Sequence, residues 1–137
     1  MANTVTGPTI QFQGDRKLIN TAFVSCDGGN SSSVVLVDVS ALSAASNGAP
    51  CTRVALNQIW YNGAGAANAS ATLTWDADTD VPFLSLNYDN SFDFSNFGGL
   101  QNTKATGYTG DVKLEIPATT IAGQEVTVWC EWIKYYD

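Results

Sequence analysis

Hydrophobic and polar residues alternate with a period of two along most of this chain, and helical periodicity is nearly absent. The alternating runs are Thr9–Gln13, Leu18–Ser25, Val34–Ala41, Arg53–Tyr61, Ala69–Trp75, Pro82–Tyr88, Asp111–Ile116 and Glu125–Tyr135. Successive side chains of a strand point to opposite faces, so each run predicts a half-buried β-strand. In the fourth run, Val54, Leu56 and Trp60 are expected on one face, opposite Arg53 and Asn57. In the last, Val126, Val128, Cys130 and Trp132 share a face, while Trp129, Ile133 and Tyr135 line the other. Asp27-Gly28-Gly29-Asn30, Asn47-Gly48-Ala49-Pro50, Asn62-Gly63-Ala64-Gly65 and Ala122-Gly123 supply turn chemistry between runs. Ser40–Ser46 fits either one helical turn or a loop.

About eight strands closed by turns predict an all-β fold, an antiparallel β-sandwich of jelly-roll type. An immunoglobulin-like sandwich ranks second, because the Cys…Trp…Cys spacing of true immunoglobulin domains is missing. At 137 residues the chain matches one domain, with residues 1–14 as a candidate extended N-terminal arm. The arm alternates Ile10 and Phe12 and is suited to adding a strand to a partner's sheet.

Charge narrows the function classes. Six basic against thirteen acidic residues give a formal charge of −7, and the basic ones are scattered. Nucleic-acid binding is therefore not expected, since affinity for phosphate backbones comes from clustered Lys and Arg. Charged residues make up only 14% of the chain, against a usual share of about 25%. Such a surface suits an exterior that meets other proteins. The opening residues MANTVTGPTI have neither the basic nor the apolar region of a secretory signal, and no apolar run is long enough for a membrane-spanning helix.

The chain contains no histidine, which excludes His-based nucleophile activation and His metal sites. A carboxylate-only mechanism survives, with Glu131 between Trp129 and Trp132 as its candidate acid; an ordinary exposed acid is the plainer expectation. Asp76, Asp78 and Asp80 form a D-x-D-x-D run, the weak metal candidate of the chain. Val81 and Asn87 stand where an EF-hand loop needs Gly and Glu, so a solvated acidic turn is expected. Ca2+ at a subunit junction is the alternative, and no cofactor is otherwise called for. Cys26, Cys51 and Cys130 fit no zinc or redox spacing and are expected as buried thiols, with a Cys26–Cys51 disulfide left open.

The aromatic residues point to contacts. Trp60 and Trp132 share faces with Val and Leu and are expected in the core. Phe92, Phe94, Phe97, Gly98 and Gly99, in a long loop, and Tyr135 and Tyr136, at the terminus, are the candidate interface residues together with Ile10 and Phe12. Exposed Trp and Tyr rings would instead suit a carbohydrate-binding or receptor-binding tail domain.

RKLINTAFVS, VVLVDVSAL, RVALNQIWYN, TLTWDA and above all FDFSNFGGLQNTKATGYTGDVKLEI follow one another before a terminal aromatic strand. In that order they resemble small structural proteins from the virions of tailed bacteriophages. The resemblance implies a non-enzymatic capsid decoration (cement) protein, or another small head or tail component, with a β-sandwich fold. It also implies a homo-oligomer, a trimer being favoured, that binds the major capsid protein or other virion proteins. Such a protein would be assembled in the host cytoplasm, reside in the virion and stabilise the head through repeated, multivalent contacts. The family carries no catalytic residues.

Overall fold

The structure, a computed structural model, describes residues 3–64, 70–87, 89–118 and 123–137. Ala69 and Tyr88 at predicted strand ends, the turn residues Gly65 and Ala122, and the first two residues of the arm lie outside them. The strands are β1 (Thr4–Gln13), β2 (Lys17–Ser25), β3 (Ser32–Val37), β4 (Arg53–Ala64), β5 (Ser70–Trp75), β6 (Val81–Asn87), β7 (Asp89–Asp93), β8 (Val112–Ile116) and β9 (Glu125–Tyr135).

The pairings are nested. The innermost hairpin is β5–β6, around which come β4–β7, then β3–β8, then β2–β9, all antiparallel. A long ribbon wound in this way is a jelly roll. Lateral pairs β4–β9 and β5–β8 complete a five-stranded sheet of order β1-β2-β9-β4-β7 and a four-stranded sheet of order β3-β8-β5-β6. The fold is thus the predicted antiparallel sandwich, with β1 added outside the eight-stranded roll.

Alternation does the packing. Leu18, Ala22 and Val24 of β2 face Trp132, Val128 and Val126 of β9, all buried. Leu73, Trp75, Val112 and Leu114 close the core from the second sheet, and Phe83 stacks on Trp75 with ring centroids 3.8 Å apart. Cys130 lies on the core face as the alternation predicts; Cys26, Cys51 and Cys130 are all buried and free, so no Cys26–Cys51 disulfide forms. Burial raises the pKa of each thiol. The Ser40–Ser46 region holds only a short 3₁₀ turn, Val39–Ala41, before a loop.

One expectation about the core is overturned. The register of β4 on β9 shifts between Leu56 and Gln58, so Asn57 is an extra, bulged residue. A bulge reverses which residues face inward from that point on. Ile59 and Tyr61 are buried, and Trp60, expected in the core, is 44% exposed.

A polar bridge ties the two sheets through this core. The Trp132 indole N–H donates to Asn20 Oδ1 at 2.9 Å, and Asn20 Nδ2 donates to the Leu36 carbonyl at 2.9 Å. Leu36 sits at the register shift of β3 on β8, between Val35 and Val37. Asn20→Ala would strand a buried donor and a buried carbonyl. It is expected to lower stability by about 2–4 kcal/mol, read as a fall in the urea midpoint at constant slope.

Candidate functional site

Among the described residues, exposed large apolar side chains gather on two surfaces of the five-stranded sheet, with Val35, Phe97 and Tyr108 exposed outside it. The first is its edge. All of Thr4–Gln13 carries no charge, and β1 is exposed along almost its whole length; Ile10 is 48% and Phe12 52% exposed. The expected free arm is corrected here: residues 4–13 pair with the chain's own β2, leaving only the outer edge of β1 open. Its attachment is strong at one end. Lys134, itself buried, donates to Gln13 Oε1, the Gly14 carbonyl and the Ser43 carbonyl at 3.0, 3.1 and 2.9 Å. Toward the other end the register slips between Thr6 and Thr9, around a cis Gly7-Pro8 bond. A groove of about 190 Å³ separates β1 from the β3 edge of the other sheet, lined mainly by Pro8, Ile10, Leu18, Val35, Leu36 and Leu42.

The second surface is the outer face of the same sheet. The β4 bulge brings Trp60 opposite Trp129, with ring centroids 5.1 Å apart and planes at 72°. Sequence reasoning missed this pair because it carried the alternation of β4 straight past Asn57.

The phenylalanine-rich segment behaves differently from its expected role. Asp89–Asp93 forms β7, so Phe92 lies opposite Ile59 on the core side. Phe92 and Phe94 stack at 5.8 Å and both pack against the core. That placement assigns them to folding rather than to a free contact surface, whereas Phe97 is 64% exposed. The segment folds back onto β4 at the bulge: Phe94 N–H donates to Asn57 O at 2.7 Å, and Leu56 and Leu100 exchange backbone hydrogen bonds of 3.0 and 2.8 Å. Gly98, at φ +82°, ends the short turn Ser95–Phe97. Gly99 has φ +91°, and a Cβ there would stand 2.9 Å from the Leu56 carbonyl oxygen, so this crossing requires glycine.

Tyr135 and Tyr136 are half-buried and engaged within the chain. The Arg53 guanidinium lies 4.1 Å from the Tyr135 ring centre, and the Tyr135 hydroxyl accepts from Gln101 at 3.0 Å. Arg53 also grips Asp137 with two hydrogen bonds of 3.1 and 2.9 Å. Arg53 first, with Lys104 in support, holds the Asp137 carboxyl below the usual carboxylate range. The Tyr136 hydroxyl donates to the Asp15 carbonyl.

The acidic run already has its cation. Lys113 Nζ lies 3.0 Å from Asp76 Oδ1 and 2.9 Å from Asp80 Oδ2. Asp78 points away to the segment 106–111, where a Cβ on Gly107 would collide with its carboxylate. Among the described residues no group of three or more potential ligands converges on a metal position. Glu131 is likewise engaged, by Asn57 Nδ2 at 2.6 Å and Lys17 Nζ at 3.4 Å.

Comparison with protein-family models, with curated proteins and with solved structures finds no match to this chain.

The acidic turn has a definite pH signature. Its hydrogen bond from Lys113, foremost, lowers the Asp80 pKa, and the two carboxylates raise that of Lys113. A depressed carboxylate contributes stability above its unfolded pKa and loses it as pH falls through the folded value. A raised lysine contributes below its ordinary pKa, so both contributions are present at neutral pH. Lys113→Met is therefore expected to cost about 1 kcal/mol at pH 7 and progressively less below about pH 4, in urea titrations at each pH. Millimolar Ca2+ is expected to leave the wild-type melting temperature unchanged.

Proposed function

We propose that this chain is a non-enzymatic structural protein of a tailed-phage virion, a decoration protein that binds the capsid surface through β1. The observation that carries this reading is the edge of β1: ten residues long, uncharged, and bordered by exposed Val5, Ile10 and Phe12. A free strand edge offers unpaired backbone groups to another chain, and proteins that keep such an edge exposed usually guard it with charge. Here the guard is limited to Pro8 and two register shifts, while the acids sit elsewhere. Addition of a strand at this edge, with Ile10 and the adjoining groove taking a partner's side chains, is the recognition mode that fits. The jelly roll itself supports many functions, viral capsid proteins and lectins among them, so it does not decide between them.

The shell partner is the major capsid protein or another virion protein, and a trimer is the favoured oligomer. Repetition over symmetric sites would turn modest single contacts into stabilisation of the head. The reading expects capsid and portal genes beside the gene for this chain, and co-sedimentation of the purified chain with the shell those genes assemble. Ile10→Ser with Phe12→Ser should lower that co-sedimentation about tenfold or more while leaving the melting temperature within about 3 °C. A folded wild-type chain that ignores the shell, or a double variant that binds it fully, counts against the proposal.

A further inference from the structure

The outer face of the five-stranded sheet does not enter the reading above, and its layout is that of a ligand surface. Strand register places Thr21, Trp129, Trp60 and Ser91 in one row across β2, β9, β4 and β7. The two indoles stand in the middle of the face, Trp60 44% and Trp129 37% exposed, between two small hydroxyl residues. Their edge-to-face packing, at 72°, sets the edge of one ring against the face of the other, fixing both while leaving each partly exposed. One step along the strands in each direction come hydrogen-bonding side chains: Gln58 and Asp93 on one side, Asn62 and Asp89 on the other. These lie about 7 Å from the central row, two residues along a strand.

We propose that this face binds neutral saccharides, with the exposed parts of the Trp60 and Trp129 rings as two inclined stacking surfaces. A pyranose ring presents an apolar C–H face and a rim of hydroxyls. The indoles match the first, and the flanking amides and carboxylates match the second. Charge decides against other occupants. Asp89, Asp93, Glu125 and Glu131 lie on this face, with Lys17 already paired to Glu131. Phosphorylated, sulfated or uronic ligands would meet an acidic border. A second copy docked face to face would bring the same acids of a −7 chain together. A neutral polyol meets neither obstacle, and acidic side chains accept well from sugar hydroxyls. The inference is independent of the virion reading and stands whether or not β1 binds a shell.

The test is a glycan array carrying neutral and acidic oligosaccharides, followed by titration of the strongest neutral oligosaccharide against tryptophan fluorescence. The expected result is binding to neutral glycans with a change in emission, weakened about tenfold or more by Trp129→Ala. Ser91→Arg should weaken it similarly by overhanging Trp60 from an exposed position, which keeps the test sound if Trp129→Ala does not fold. Ile10→Ser should bind as wild type. Folded protein that binds no neutral glycan at about 10 mM overturns the proposal, as does binding confined to acidic glycans. So does an oligomer that Trp129→Ala or Ser91→Arg disperses, which would make this face a contact between copies.

Discussion

The single extra residue in β4 determines what the outer face of the five-stranded sheet shows to its surroundings. With Asn57 bulged against β9, the strand changes faces, so Tyr61 enters the core and Trp60 leaves it to meet Trp129. Next to the bulge, backbone groups on the β7 side of β4 are engaged as well. Those of Leu56 bind Leu100, and the Asn57 carbonyl takes the Phe94 amide, so the phenylalanine-rich segment closes over the strand. Asn57 itself reaches Glu131 across the strand pair. Without the bulge, alternation would put Trp60 in the core and remove the aromatic pair from the outer face. Bulges re-aim side chains in this way at functional positions of sheets.

Internal pairing uses up most of the chemistry that a bare residue count suggests. Asp76 and Asp80 hold Lys113, Arg53 and Lys104 hold Asp137, and Lys17 with Asn57 holds Glu131. The buried Lys134 is satisfied by three neutral oxygens and pins the β1–β2 turn. Two apolar surfaces stay open besides: the uncharged edge of β1, and the tryptophan pair within its acidic border. Both are presented by the five-stranded sheet, one along its rim and one on its outer face.

The fold was legible because period-two alternation is a local property, and seven of the nested strands carry it strongly. Strand β7 was not, since Asp89–Asp93 has one apolar residue and its pairing depends on β4 coming round to meet it. The Trp60 orientation failed for a related reason: alternation assumes constant register, and no residue type in RVALNQIWYN marks the bulge. The acidic run looked like an open cation site because Lys113 is 33 residues beyond Asp80 in sequence and adjacent only in space. Phe92 and Phe94 were misplaced by the same missing strand. Ile10 and Phe12 stay exposed, but on a strand paired within the chain instead of on a free arm.

On the proposed reading, the outer edge of β1 is the contact through which this protein joins a capsid shell. Amide hydrogen exchange on the chain, free and then bound to the shell, tests it most directly. If β1 is the docking edge, its amides exchange quickly in the free protein and become strongly protected in the assembly, while those of β7, at the opposite edge, change little. Unchanged exchange along Thr4–Gln13 in the bound state, with protection appearing elsewhere, would contradict it.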